Sequence, residues 1–336
     1  MLKIGIVGAG AVVQGAHAKA FRGRKDVTVA GIADPSESCR TLVGKAVGCE
    51  RLFEDYRRLL DDPSIDALDI CLPHFMHESV VLEALDAGKD VLLEKPIALT
   101  LVQADRMMAA AAKAGRQFFV ALNERFYPAH RELKRIIDSG EHGKPFLVLA
   151  QLVGDELTRM GDPLSWKGDW NKAGGGALID TGTHIMDLML WWFGRPRTVA
   201  CQWGRLVVEA ANKADDNVVV TLGWDGMLAN IAVSYTCASD PWREDKQVYF
   251  RDASVHITME PDAPIKIGKD RLPLRPIATP PMASWWPDSV TAGVNHFLDC
   301  FLGKASPDYG PEASREALDL ILLAYRSARE GRMLTY

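Results

Sequence analysis

Three groups of residues in this chain could do chemistry. Gly8-Ala9-Gly10, with Asp34 some way downstream, could hold a dinucleotide, because glycine lets a backbone turn tightly and approach a pyrophosphate. Glu94-Lys95-Pro96 offers an ammonium. Near apolar groups or another cation a lysine pKa falls towards neutrality, and the group can then take part in proton transfer. In the run from Gly174 to Asp187, Asp180 and His184 are four apart, so on a helix they share a face. A carboxylate beside an imidazole fixes its tautomer and favours its charged form. Asp187, at i+3 from His184, could do the same from the other side. Each group also has a plainer reading: Asp34 as a helix-capping turn acid, Lys95 as a solvated lysine after a strand, and the Asp180 helix as a polar face on a surface groove.

The elements that must position these groups follow from the hydrophobic pattern. The first third alternates short β-branched runs with helical stretches. Strands are predicted at Leu2 to Val7, Val27 to Ala33, Leu52-Phe53, Ala67 to Leu72, Val91 to Leu93 and Phe118 to Leu122, with helices between them, the first over Ala11 to Phe21. That alternation means α/β architecture, a parallel doubly wound Rossmann sheet with helices on both faces. After Asn123 the pattern changes. A helix near Ala129 to Ser139, a strand at Phe146 to Val153 and a helix near Leu178 to Phe193 precede a series of strands. Asp225-Gly226 between two of those strands is a hairpin signal. A proline-rich segment, Leu272 to Pro287, leads to closing helices near Val290 to Leu302 and Glu312 to Glu330. The expectation is a dinucleotide-binding domain over 1–123 and an α+β domain over 124–336 with a large, mostly antiparallel open sheet, for substrate binding and oligomerisation.

The glycine turn sits where the first strand hands over to the first helix, so Gly8, Gly10, Ala11 and Val12 would border the pyrophosphate. The third small position of the usual pattern is Val13, with Gly15 two residues later, a departure that pushes the first helix away from its strand. Asp34 lies 21 positions after Val13, close to the ~20 expected for a carboxylate on the adenosine ribose. A carboxylate there repels a 2′-phosphate, which favours NAD over NADP, although Arg40 is close enough in sequence to keep NADP open. Ligands bind beyond the carboxyl ends of such strands. Leu72, Pro73, His74 and His77 follow the fourth strand, Glu94 and Lys95 the fifth and Asn123 the sixth, so all belong to the expected cofactor crevice. His77 could line the nicotinamide side or brace the backbone at a helix start.

Composition excludes several classes. Thirty-nine basic against 44 acidic residues give a net charge of −5, which argues against nucleic acid as a partner. Mean hydropathy is −0.05, and no apolar run reaches the ~18 residues of a membrane span. The chain opens straight into a strand without the pattern of an export signal, so a cytoplasmic protein is expected. Six cysteines, none within metal-ligand spacing of another, read as reduced thiols, and no metal site is expected.

The set resembles the glucose–fructose oxidoreductase, inositol dehydrogenase and rhizopine-catabolism (Gfo/Idh/MocA) oxidoreductase family. The resemblance rests on Gly8-Ala9-Gly10, Asp34-Pro35, Pro73 with His77, Glu94-Lys95-Pro96, Arg125-Phe126-Tyr127-Pro128, and Gly174-Gly175-Gly176 through Asp180, His184 and Asp187. It implies an NAD-dependent dehydrogenase of a sugar, sugar derivative or cyclic polyol. Lys95 and His184 would meet the hydroxyl or carbonyl that exchanges hydride, His184 as general base and Lys95 as electrostatic stabiliser. Asp180 would bind substrate hydroxyls and orient the pair. His74 stands where many relatives have asparagine. The three glycines are expected to let a substrate approach the backbone. Arg125 either lines the substrate pocket or is structural. Trp166, Lys167, Asp169, Trp170 and Lys172 either stack and hydrogen-bond a sugar ring or form a surface loop that tucks its indoles against the core. Trp285-Trp286 is an interface anchor, a lid or packing. Two other readings share the fold: a sugar-responsive regulator without turnover, and an NAD-dependent glycosidase. The apolar alternation of Val218 to Leu222 and Ile231 to Val233 is rich for a solvated face, and with the resemblance it implies a homodimer or homotetramer.

Overall fold

The computed structural model describes residues 1–208, 214–237, 242–269 and 272–336. It divides into two compact units, the first Met1–Asn123 with Trp286–Arg315, the second Glu124–Trp285 with Glu316–Tyr336.

The first unit is built on six strands: β1 Leu2–Val7, β2 Val27–Ala33, β3 Leu52–Phe53, β4 Ala67–Ile70, β5 Asp90–Glu94 and β6 Phe118–Ala121. Their order is β3-β2-β1-β4-β5-β6, all parallel. Ile4, Ile6, Ile32, Leu68, Ile70, Val91 and Leu93 are essentially inaccessible. Near-continuous apolar runs of this kind are what a sheet covered on both faces requires. The strand order reverses between β1 and β4, which places the ligand crevice beyond the carboxyl ends of those two strands.

Two features of this unit depart from the sequence reading. The first helix does span residues 11–21, but Val13–His17 forms a π-turn within it. Gly15 explains part of this: a Cβ there would lie 3.1 Å from the Trp286 ring, so the indole packs directly on the glycine. Trp286 is thus a packing residue. Segment 286–315 was expected in the second domain and instead clusters with the first. Phe297 stacks on Phe119 at 4.7 Å, and the Tyr309 hydroxyl accepts the Leu122 N–H at 2.9 Å. The helix Trp285–Phe301 also starts earlier than expected, because Pro287 falls in its first turn, where no backbone donor is needed.

The second unit holds β7 Pro145–Val153, β8 Thr198–Gly204, β9 Asn217–Trp224, β10 Met227–Ser234, β11 Arg243–Phe250, β12 Ala253–Ile257, β13 Ile265–Lys269, β14 Arg275–Pro276 and β15 Leu334–Thr335. They form one nine-stranded sheet, β14-β13-β12-β11-β7-β10-β9-β8-β15, antiparallel except for β7 with β10. Asp225-Gly226 makes the β9–β10 hairpin, with Gly226 at φ +79°. Val218, Val220 and Leu222 are buried while Val219 and Thr221 between them are exposed, so one sheet face is core and the other open. The stretch expected as one helix from Leu178 is two, Ala177–Asp180 and Gly182–Phe193. Ile185, Met186, Leu188 and Met189 of the second are fully buried, which makes it the core helix of the unit. Among the described residues no helix is long and apolar enough to cross a membrane.

Candidate active site

In the first unit the glycine turn lies at the strand-order reversal. Gly8 has φ +90°, and a Cβ on it would stand 2.2 Å from the Cys71 carbonyl oxygen that follows β4. Only glycine meets both demands. A Cβ on Gly10, by contrast, would meet nothing within 4 Å. The loop is therefore packed on its protein side and open on the other, at the start of a helix whose first N–H groups have no intrahelical partner.

Asp34 anchors this turn. Its Oδ2 accepts the Ala9 N–H at 2.7 Å and its Oδ1 accepts the Ser36 N–H at 2.7 Å. A carboxylate oxygen has two lone pairs, so each oxygen retains capacity for a ribose hydroxyl. Arg40, the residue that kept NADP open, donates to the Asp34 and Pro35 carbonyls at 3.1 Å. These residues fit a dinucleotide: a glycine cradle, a helix start and an acceptor for diol hydroxyls.

His77 is fully buried and takes the backbone-bracing role. Nδ1 faces the Pro96 carbonyl at 2.8 Å and Nε2 the Leu72 carbonyl at 2.9 Å. Burial pushes its pKa below the ordinary value against the pull of those two carbonyls. Both ring nitrogens therefore face backbone. His77 ties the loop after β4 to the Glu94-Lys95-Pro96 turn. His74 is buried beside it, ring centroids 5.7 Å apart. Asn123 is also buried and donates to Ser289 Oγ at 2.9 Å.

In the second unit, Asp180 is buried at the end of its short helix. Its Oδ2 accepts from Lys167 Nζ and from the Tyr235 hydroxyl, both at 2.7 Å. Thr181 Oγ1 lies 2.6 Å from the same hydroxyl. Burial pulls the Lys167 pKa down, but the Asp180 and Glu156 carboxylates outweigh it, and Lys167 stays an ammonium above its ordinary value. Burial and Asp180 together hold Tyr235 well above its ordinary value, so it remains a phenol and a donor. Lys167, one of the residues expected to hydrogen-bond a sugar, and Tyr235, to which the sequence assigned no role, both belong with Asp180. His184 lies half-buried one turn on, in the helix Gly182–Phe193. This part of the unit thus carries a carboxylate, an ammonium and a phenol, with an imidazole one turn on.

Other expectations meet different surroundings. Asp187 does not flank His184 as a second orienting acid: its carboxylate receives the Arg125 guanidinium at 2.8 and 2.6 Å. That bidentate geometry occupies the fork of Arg125, and its guanidinium also lies 5.5 Å from the Trp191 ring centroid. Arg125 thus has a structural part in this unit, anchoring Asp187 of the core helix. Trp170 packs in an aromatic cluster with Trp203 and Tyr325, at 5.4 and 4.9 Å between centroids. Trp166 is half-buried, with Lys167 Nζ 5.9 Å from its ring centroid. Lys172 is exposed, and its ammonium pairs loosely with Asp169 at 3.8 Å.

The glycines before the helix answer to the chain itself. A Cβ on Gly176 would lie 1.9 Å from the Asp215 carbonyl oxygen, and one on Gly175 would lie 2.2 Å from the Tyr325 hydroxyl. Asp215 accepts the Gly176 and Leu178 N–H groups at 2.7 and 2.9 Å and the Tyr325 hydroxyl at 2.6 Å. The close approach expected for a substrate at Gly175 and Gly176 is thus made by Asp215 and Tyr325, which set the start of the Asp180 helix.

A second buried charge cluster in this unit joins Glu124, His130, Glu244 and Lys246. His130 donates from Nδ1 to the Glu124 carbonyl at 2.8 Å and accepts Lys246 Nζ on Nε2 at 3.1 Å. Lys246 also pairs with Glu244. Burial pushes Glu124 up to about 7 and pulls Lys246 down to about 8. Burial, Lys246 and His184 keep the His130 ring neutral.

Comparison with known proteins agrees with both halves. Residues 2–122 match the family model described as "Oxidoreductase family, NAD-binding Rossmann fold", and residues 130–256 match that of the "GFO/IDH/MocA C-terminal domain". D-apiose dehydrogenase of Paraburkholderia graminis is 26% identical over 94% of this chain and 85% of its own. Myo-inositol 2-dehydrogenase of Thermotoga maritima is 28% identical over 64% of this chain and 62% of its own. An uncharacterized oxidoreductase of Bacillus subtilis, 30% identical, is matched over 66% of this chain and 63% of its own length. The chain thus spans less than two thirds of two of these three relatives. Levoglucosan dehydrogenase in complex with NADH has the same fold, with a TM-score of 0.89 at 20% identity, covering 99% of this chain and 98% of that one. With an NAD-binding Rossmann unit ahead of this C-terminal domain, the chain belongs to the Gfo/Idh/MocA oxidoreductase family.

Proposed function

We propose that this chain is an NAD-dependent dehydrogenase acting on a hydroxyl or keto carbon of a sugar, sugar derivative or cyclic polyol. The observation that carries the reading is the crevice of the first unit. There Gly8 is packed against the Cys71 carbonyl, Gly10 is open, and Lys95 follows β5 at the same sheet edge. The relatives named as D-apiose and myo-inositol dehydrogenases support the substrate class.

When bound, the nicotinamide supplies the hydride acceptor or donor. In oxidation His184 takes the hydroxyl proton and Lys95 stabilises the developing alkoxide. Asp180, its carboxylate held by Lys167 and Tyr235, accepts from neighbouring substrate hydroxyls. The same groups run reduction in reverse. The expected result is NADH formation with at least one member of a panel of aldoses, sugar acids and inositols, or NADH consumption with the matching ketones. A panel inert in both directions overturns the reading.

Asp34 assigns the preference for NAD. Asp34→Ala is expected to shift the ratio of NAD to NADP affinity towards NADP by roughly 10–100-fold, the loss of hydrogen bonds to a charged group worth about 1.5–3 kcal/mol. Asp34→Asn keeps an acceptor for Ala9 and controls for the loop. Fluorescence titration with both reduced cofactors checks this, and an unchanged ratio contradicts it.

The open sheet face is proposed as the contact for a homodimer or homotetramer. Leu149, Val219 and Leu228 stand exposed on strands β7, β9 and β10, which are neighbours in the sheet. A cytoplasmic location is proposed with it, supported by six cysteines that are all unpaired.

A further inference from the structure

The π-turn of the first helix ends on His17, a fully buried side chain to which the site chemistry above gives no part. Its Nδ1 faces both oxygens of Asp69, at 2.9 and 3.1 Å, and its Nε2 faces Glu94 Oε1 at 3.0 Å. Asp69 is 2% exposed and Glu94 9%. A neutral imidazole has one N–H and could serve only one of these acids, leaving a bare nitrogen against the other's oxygen. Two ionised carboxylates are satisfied together only when both ring nitrogens carry protons. The remaining neighbour is the Cys71 thiol, whose sulfur lies 3.6 Å from Nδ1. Burial pulls the ring pKa down, but Asp69 and then Cys71 override it and hold it well above the ordinary value. The cluster leads onward, because Glu94 Oε2 accepts the N–H of Lys95 at 3.1 Å.

We propose that His17 is a positioning residue for Lys95: as an imidazolium between Asp69 and Glu94 it locks the Glu94 carboxylate under the Lys95 N–H and so fixes where the lysine leaves the sheet. The π-turn fits this task, since such insertions in helices recur at functional sites and re-aim the side chains on them. His77 on the Pro96 carbonyl braces the far side of the same turn. Asp69 anchors the imidazolium to β4, so strands β4 and β5 are joined at their carboxyl ends by one buried cation. The proposal rests on the reading of Lys95 as the residue that meets the reacting oxygen, but its test does not need turnover.

The test uses the full chain with NAD. Nitrogen-15 histidine spectra at about pH 8.5, some two units above the ordinary histidine pKa of ~6.5, are expected to show both His17 nitrogens protonated. One protonated and one bare nitrogen overturns the proposal. In His17→Gln, acylation of Lys95 by a succinimidyl ester, read by mass spectrometry against the exposed Lys113, is expected to change by about threefold or more as the lysine loses its fixed place. Asp69→Asn, which removes one acid but leaves the ring, is expected to change it in the same direction. A merely structural role would lower the melting temperature and leave the Lys95-to-Lys113 ratio unmoved in a folded variant, which also overturns the proposal. Failure of the dehydrogenase reading shows separately, as an inert substrate panel.

Discussion

Lys95→Ala is expected to lower kcat by about 10²–10³-fold, the range seen on removing one oxyanion-stabilising donor, while the dissociation constant for NAD changes only a few-fold. The glycine cradle and Asp34, the proposed cofactor contacts, are untouched by this change. His184→Ala is expected to lower kcat by about 10²–10⁴-fold through loss of general base catalysis. It should also flatten the acid side of the rate profile, because oxidation needs the neutral ring. The two substitutions combined should cost less than the product of their separate effects, because the proposal has both groups act on one oxygen. Stopped-flow turnover and cofactor titration of the three variants check this. Full activity in either single variant removes that residue from the mechanism.

The second large effect is on stability. Arg125 and Asp187 form a buried bidentate pair, with Asp187 inaccessible. Arg125→Met leaves a carboxylate buried without its counterion, which costs about 3–5 kcal/mol. At roughly 2–4 °C per kcal/mol for a unit of this size, the melting temperature is expected to fall by about 6–20 °C. Adding Asp187→Leu should restore most of the loss, because well-packed apolar residues commonly match a buried ion pair. A single variant with an unchanged melting temperature would show that Arg125 contributes little to stability, and would leave it as a candidate substrate contact.

The parallel sheet was legible because buried strands such as Ile4 to Val7 and Ala67 to Ile70 are near-continuous apolar runs, followed by Gly8 and by Pro73. The glycine turn and Asp34 were legible because their chemistry is local and their spacing is set by one strand–helix–strand unit. What escaped depends on contacts far apart in the chain. Nothing around Val13 to His17 announces a π-turn, and Trp286, whose ring packs on Gly15 inside it, lies more than 250 positions away. Gly175 and Gly176 look like a ligand loop in sequence, but the atoms pressed against them belong to Tyr325 and Asp215. Lys167 and Tyr235 could not be assigned to Asp180 without knowing that β10 ends beside it. Asp69 did leave a signal: a carboxylate inside the otherwise apolar Ala67 to Ile70 needs a buried partner, and His17 is that partner. Segment 286–315 was misplaced because an amphipathic helix shows which face is apolar and not which sheet it covers.

A crystal structure with NAD and a polyol or sugar that is turned over tests the central claim most directly. The expected result is one substrate oxygen within hydrogen-bonding distance of both Lys95 Nζ and a His184 ring nitrogen, with its carbon facing the nicotinamide. A substrate whose reacting oxygen meets neither side chain would contradict the account.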